Sequence, residues 1–324
     1  MVKISEFSVN QQCEVVLVVL SASARKTRAG KPFLVLELFD GVDKITGNYW
    51  DWSGKAIPDN NAVLNVSAQV TEYNGQKQLN ISGLSTNSTV DVSAFAVSSG
   101  VNINTVYESA LGLISEVCDI TLKVLAESIL AELKDRWLTV PGAKSVHHAY
   151  VGGTLIHSYS VAMKAGAMAD VTPGASKDLC IIGGLLHDVG KLFGYQLSGV
   201  VIDLTEEGML FEHIFMGAEF VGNYVDNHIE KFIDDTKLNE KIEILRHIIL
   251  SHHGVLEHGS PVTPGCLEAY IVHHADLLDA AADQLLTASK KSTNKFTERI
   301  YMLNNRPHLT MRYVADVMDE EPIV

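Results

Sequence analysis

In the first ninety or so residues the apolar positions fall into short runs rich in β-branched residues. These are Cys13–Ser21 (CEVVLVVLS), Phe33–Phe39 (FLVLELF), Lys44–Trp50, Ala62–Thr71 and Gln76–Ser82. Asn74-Gly75 between the last two is a hairpin signal. Five short strands in so little chain predict a small closed barrel, most simply a five-stranded OB-fold, because a β-sandwich needs more strands. Residues 84–101 are rich in Ser and Thr and read as a linker. Apolar residues then recur at three- and four-residue spacing near 104–117, 120–136, 147–169, 175–189, 209–230, 238–252 and 264–288. Pro141-Gly142, Pro173-Gly174, Gly199, Gly208, Pro261 and Pro264-Gly265 separate them. The expected architecture is multidomain α+β: a barrel over 1–90, a linker over 91–103 and an all-helical domain over 104–324.

Composition narrows this picture. The 324 residues are 47% hydrophobic and 20% charged, which excludes a disordered or collagen-like chain. No uncharged apolar run reaches the ~18 residues of a membrane span, and the start MVKISEFSVNQQCEVV carries no secretion-type apolar core. Cys13, Cys118, Cys180 and Cys266 form no CxxC pair and read as reduced thiols of a cytoplasmic protein. The net charge of −14 at first argues against a nucleic-acid partner. Its distribution is uneven: residues 1–95 hold 8 basic and 9 acidic residues, residues 96–324 hold 17 and 30. The acid sits in the helical part.

Most of the 13 histidines lie between 147 and 274. Gly-Leu-Leu-His187-Asp188-Val-Gly-Lys191 puts an imidazole and a carboxylate side by side at the end of an apolar helix. Alone, such a pair is most often a helix cap or a surface pair. Its companions change the reading, because His157, His213, His252-His253 and Asp276 each fall on a different expected helix, as a site inside a bundle requires. One ion could take His157, His187, Asp188 and Asp276; a second could share Asp188 and add His213 and His252. Mixed N/O ligands suit Mn²⁺, Fe²⁺, Co²⁺ or Zn²⁺, and two such ions are a standard arrangement for phosphodiester cleavage.

The order H…HD…D resembles the HD superfamily of metal-dependent phosphohydrolases. His147-His148-Ala-Tyr-Val-Gly-Gly-Thr-Leu-Ile-His157, LLHDVGK (185–191), ILSHHGVLEHGSP (249–261) and HHADLLDA (273–280) look specifically like the YhaM-type 3′-to-5′ exoribonucleases. GKPFLVLELFDG (30–41) and VSAQVTEYNGQKQLNI (66–81) look like the OB part that precedes the HD domain in that family. Leu192-Phe-Gly-Tyr-Gln196 replaces the Gly-Tyr-Pro of cyclic-di-GMP hydrolases, and Gly190-Lys191 replaces the HDxxED pattern of alarmone hydrolases. The resemblance implies a first ion on His157, His187, Asp188 and Asp276. It implies His213, His252 and His253 as second-ion or phosphate ligands. Lys191 could reach the scissile phosphate, or be an ordinary surface lysine. His148 could line the pocket or cap a helix. One of His273 and His274 is expected on the core face.

Arg25, Lys26, Arg28 and Lys31 lie between the first two expected strands, and Tyr49, Trp50 and Trp52 cluster at and after the third. In an OB-fold such groups hold and stack single strands; barrel core and a merely solvated loop are the plainer readings. A second basic stretch, Lys290 to Arg312, is expected to guide substrate or contact another subunit. The expectation is a 3′-to-5′ exoribonuclease using two divalent ions, Mn²⁺ foremost, on single-stranded RNA or DNA, cytoplasmic and, by the resemblance, a homo-oligomer. Hydrolysis of free or cyclic nucleotides is the alternative, and a non-enzymatic strand-binding module a third.

Overall fold

A computed structural model describes residues 3–54, 56–96, 100–143, 148–232 and 234–318. His147 lies outside the described residues. The chain divides into two compact units, Met1–Ser98 with Leu197–Asp203, and Ser99–Gln196 with Leu204–Val324.

The first unit is a closed five-stranded barrel of OB-like form. Its strands are β1 (Gln12–Lys26), β2 (Pro32–Phe39), β3 (Lys44–Tyr49), β4 (Val63–Tyr73) and β5 (Gln76–Thr86), in the order β1-β2-β3-β5-β4. Closure depends on β1. Its first half, Gln12–Val18, pairs with β4, and its second half, from Val18 to Lys26, pairs with β2. A register shift between Val19 and Ser21 bends the strand so that it serves both neighbours. Leu17, Val19, Leu34, Leu36, Leu38, Val66, Val70 and Leu79 fill the interior. The β3–β5 contact is parallel, and Gly47 allows it: a Cβ there would lie 2.6 Å from Ile81 Cδ1.

The second unit contains α1 (Ile103–Ser115), α2 (Ile120–Glu132), α3 (Lys134–Thr139), α4 (Gly153–Asp170), α5 (Lys177–Leu186), the single turn α6 (Lys191–Gly194), α7 (Glu206–Asn227), α8 (Leu238–Ser251), α9 (Leu267–Lys291) and α10 (Met311–Met318). α5 is the central element. Ser176 caps it by accepting from Leu179 N, and every residue from Cys180 to Leu186 is buried. Gly183 and Gly184 admit its neighbours: a Cβ on Gly184 would meet Ala162 Cα of α4 at 2.8 Å. A helix apolar on all sides buries its C-terminus as well, and that end delivers His187 and Asp188 into the interior.

Several boundaries differ from the periodicity reading. The helix expected from 147 starts at Gly153, because the preceding loop carries His148 at φ 51. The helix expected to run to 189 stops at Leu186. Between α6 and α7 the chain forms a hairpin, β6 (Tyr195–Ser198) and β7 (Val201–Leu204), in a stretch that the periodicity left unassigned. The basic C-terminal segment contains α10, also unanticipated.

Candidate metal centre

Side chains from six helices and their ends converge around Asp188. Asp188 Oδ2 lies 3.3 Å from His157 Nε2 of α4, 3.2 Å from His187 Nε2 and 2.7 Å from Lys191 Nζ at the start of α6. Asp188 Oδ1 lies 3.4 Å from His213 Nε2 of α7 and 3.6 Å from His252 Nε2 just past α8. Asp276 of α9 brings its Oδ1 to 3.1 Å from His157 Nε2 and 3.9 Å from His187 Nε2. All six ligand-type residues expected from the sequence are therefore in one place, with Lys191 beside them. His253 stands next to His213 and His252, its ring 5.2 Å from that of His213, and its Nδ1 meets His258 O at 2.8 Å. His273, rather than His274, faces inward, with Nδ1 against His252 O at 2.7 Å.

The hydrogen bonds behind the rings determine what the rings present. His187 Nδ1 donates to Gly184 O and His252 Nδ1 donates to Ile249 O, each at 2.7 Å. A carbonyl only accepts, so these nitrogens carry protons, and a ring that holds no second proton turns a bare Nε2 to the centre. Both bonds also satisfy carbonyls at helix ends, which have no partner within the helix.

The donor set fits divalent cations. Asp188 Oδ1, His252 Nε2 and both nitrogens of His213 are buried without hydrogen-bond partners. Each such group costs about 1–3 kcal/mol. Ligand atoms about 2.0–2.2 Å from one ion lie about 3 Å apart, and the separations among His157, His187, Asp188 and Asp276 run from 3.1 to 3.9 Å. Two of the ligand-type groupings share His187: His157, His187 and Asp276 on one side, His187, Asp188 and His252 on the other.

Electrostatics agrees. Burial pushes His213 down to about 3 and His252 well below its usual value, so both rings are neutral. Burial would raise Asp188, but Lys191 and the imidazoles hold it well below the carboxylate range. Burial also opposes charge on His157, yet Asp188, Asp276 and Asp279 outweigh it and raise its pKa well above normal. A cation bound here displaces that proton, so binding releases acid. We predict that Mn²⁺ at ~100 times its Kd adds about 2.7 kcal/mol of stability, raising Tm by about 5–10 °C over protein in chelator. A melt that shows no shift with Mn²⁺, Zn²⁺ or Co²⁺ counts against the centre.

The barrel residues separate into two groups. Arg25 and Lys26 are the last residues of β1, not loop, and pair with Phe33 and Pro32. With Arg28 and Lys31 they are exposed, and Lys31 bonds Asp51 at 2.8 Å. Trp50 is 43% exposed and stacks on Phe33 with centroids 4.4 Å apart. Tyr49 and Trp52 instead lean on the barrel core and line a hollow of about 260 Å³.

One central residue was missed. Asp279, three positions after Asp276 on α9, is buried against His157 and His148. The signal was present in HHADLLDA, whose two aspartates are one helical turn apart. Glu212, at φ 59 and ψ 153, breaks α7 immediately before His213, and no local pattern announced it.

Residues 154–281 match the HD domain family, a domain of metal-dependent phosphohydrolases, and the match spans His157 to Asp279. Among solved structures, the chain is similar to a domain of replication protein A from Methanococcus maripaludis, at 20% identity, 26% of this chain, 92% of that chain and a TM-score of 0.24. The second OB-fold domain of replication protein A from the same organism is 17% identical over 28% of this chain and 96% of that chain, with a TM-score of 0.24. Among the described residues no helix is long and apolar enough to cross a membrane.

Proposed function

We propose that the protein is a metal-dependent 3′-to-5′ exoribonuclease that degrades single strands to 5′-mononucleotides. The observation that carries the reading is the convergence of His157, His187, Asp188, His213, His252 and Asp276 in an HD domain, in a chain that also holds an OB-like barrel. The first four of the expected set, His157, His187, Asp188 and Asp276, would hold one divalent ion; Asp188, His213 and His252 would hold a second. Such ions supply, when bound, an acidified water and charge that offsets the phosphoryl oxygens. The chain's own part is preorganisation. The carbonyls of Gly184 and Ile249 pin two imidazoles so that they need not reorient during reaction. Lys191 is 6% exposed and its ammonium is fixed on Asp188, which places a positive charge beside the reacting phosphate. The direction of cleavage and the preference for RNA come from the resemblance to YhaM-type enzymes.

In the barrel, the Phe33–Trp50 stack beside Arg25, Lys26 and Arg28 supports strand binding, since base stacking on aromatics contributes about 1–3 kcal/mol per base. Affinity should fall with salt despite the net charge of −14.

The test is incubation of the full chain with Mn²⁺ and a 24-mer-sized oligoribonucleotide, of about that length only for gel resolution, labelled at either end. A 3′ label should leave as a mononucleotide at once, while a 5′ label marks progressively shorter strands. Intact oligomer alongside consumption of free or cyclic nucleotides sinks the exonuclease and favours a small-nucleotide phosphohydrolase.

A further inference from the structure

Asp279 stands behind the metal centre rather than in it. Its Oδ2 accepts from His157 Nδ1 at 2.7 Å and from His148 Nε2 at 2.8 Å, and its Oδ1 accepts from Lys164 Nζ at 2.7 Å. The residue is 4% exposed. An ionised carboxylate only accepts, so both ring nitrogens that face it carry protons. With Nδ1 committed to Asp279, Nε2 is the atom that His157 turns toward Asp188 and Asp276, at 3.3 and 3.1 Å.

The same logic extends to the next residue. His148 donates from Nε2 to Asp279, and its Nδ1 lies 2.5 Å from the Tyr150 hydroxyl. Burial, Asp283 and Asp279 push the Tyr150 pKa up, which keeps the phenol a donor. Tyr150, His148 and Asp279 thus form one directed chain of hydrogen bonds ending on the back of His157.

The backbone is bent to build this chain. His148 sits at φ 51, a left-handed conformation that a residue with a Cβ adopts at a cost. Its carbonyl accepts from Gly142 N at 2.9 Å and Tyr150 N at 2.8 Å, and its own N–H donates to Asp283 Oδ2 at 3.2 Å. Glycines make the space: a Cβ on Gly153 would lie 2.0 Å from His148 O, and one on Gly142 would lie 2.8 Å from His148 Cβ. A merely packed histidine needs neither the strained turn nor a buried anion between two imidazoles.

We propose that Asp279 and His148 are positioning residues that fix the ring orientation and proton placement of His157, so that its Nε2 is presented to a divalent cation. The proposal rests on the reading of His157 as a ligand, and not on the identity of the substrate. Groups of this kind behind a ligating histidine typically account for about 10–100-fold in metal affinity.

The test uses the full chain and Co²⁺ alone, with affinity read by competition against a fluorescent chelator and ligand geometry by the visible Co²⁺ absorption. Asp279→Asn keeps an acceptor for His157 but removes the charge; His148→Ala cuts the chain; His148→Gln restores a donor toward Asp279. Expected are a 10–100-fold weaker Kd and an altered Co²⁺ spectrum in Asp279→Asn and His148→Ala, with metal-free melting close to wild type, and recovery of most of the affinity in His148→Gln. Wild-type affinity and spectrum in both of the first two variants overturn the proposal, as does a loss that tracks unfolding in all three. A wild-type chain that takes up no Co²⁺ overturns the metal centre as well, which separates the two failures.

Discussion

Changing Asp188 to Asn is expected to lower degradation of an oligoribonucleotide by at least about 10³-fold, about 4 kcal/mol of transition-state stabilisation, and to strip the protein of bound metal. Among the described residues no other side chain has one oxygen toward each half of the centre. Oδ2 faces His157 and His187, and Oδ1 faces His213 and His252. Asn presents a single uncharged acceptor and cannot serve both. The choice of Asn over Ala matters for stability. Lys191 is buried with its ammonium 2.7 Å from Asp188. Truncation to Ala would leave that charge without its anion, at about 3–5 kcal/mol, so lost activity could then be lost folding. Asn leaves a carbonyl oxygen for the ammonium. The measurement is rate, metal content by elemental analysis and circular dichroism on one preparation. Wild-type rate in the Asn variant would remove the metal mechanism.

Gly190→Ala should be the most damaging small substitution, though local propensity favours it. Gly190 has φ −64 and ψ −24, so Ala in that helical conformation would gain roughly 0.5–1 kcal/mol. The packing decides the sign. A Cβ there would lie 1.9 Å from His213 O and 2.6 Å from Gly217 N. Both are backbone atoms of α7 and cannot swing aside, so α6 and α7 must separate. Overpacking of this kind costs about 1–3 kcal/mol and occasionally more, and here it also displaces His213. We expect a net loss of at least about 2 kcal/mol, read as a fall in Tm of about 4–8 °C, together with weaker binding of the second ion. A Tm at or above that of the parent would show that the α6–α7 contact yields more easily than its backbone atoms suggest.

The barrel and the helical domain were legible because their signals are local. β-branched runs, Asn74-Gly75 and apolar spacing act within a few residues of one another. The HD phrase was legible for a similar reason: His187, Asp188 and Lys191 lie within one turn. The remaining ligand-type residues could be proposed only as one candidate on each of several helices, and the resemblance chose among them.

Other features depend on partners far away in the chain. His148 and Asp279 are 131 residues apart, and their pairing behind His157 is visible only once the fold buries them together. Which nitrogen of His187 or His252 is bare follows from carbonyls at helix ends, whose direction exists only once the helix has formed. The strained turn at Glu212 is compatible with no local preference and persists because α6 and α7 are in backbone contact on one side of it. Tyr49, Trp50 and Trp52 look equivalent as aromatic residues, but barrel closure sorts them, drawing Tyr49 and Trp52 to the core and leaving Trp50 on Phe33. By itself the amino-acid order determined the two kinds of domain and the chemistry of the donors, because periodicity and residue type are short-range properties. The tertiary structure alone decided which carboxylate stands behind the cluster, which ring nitrogens face it and which aromatics are exposed, because burial, proton placement and close backbone approach are set by neighbours that the chain brings together only when it folds.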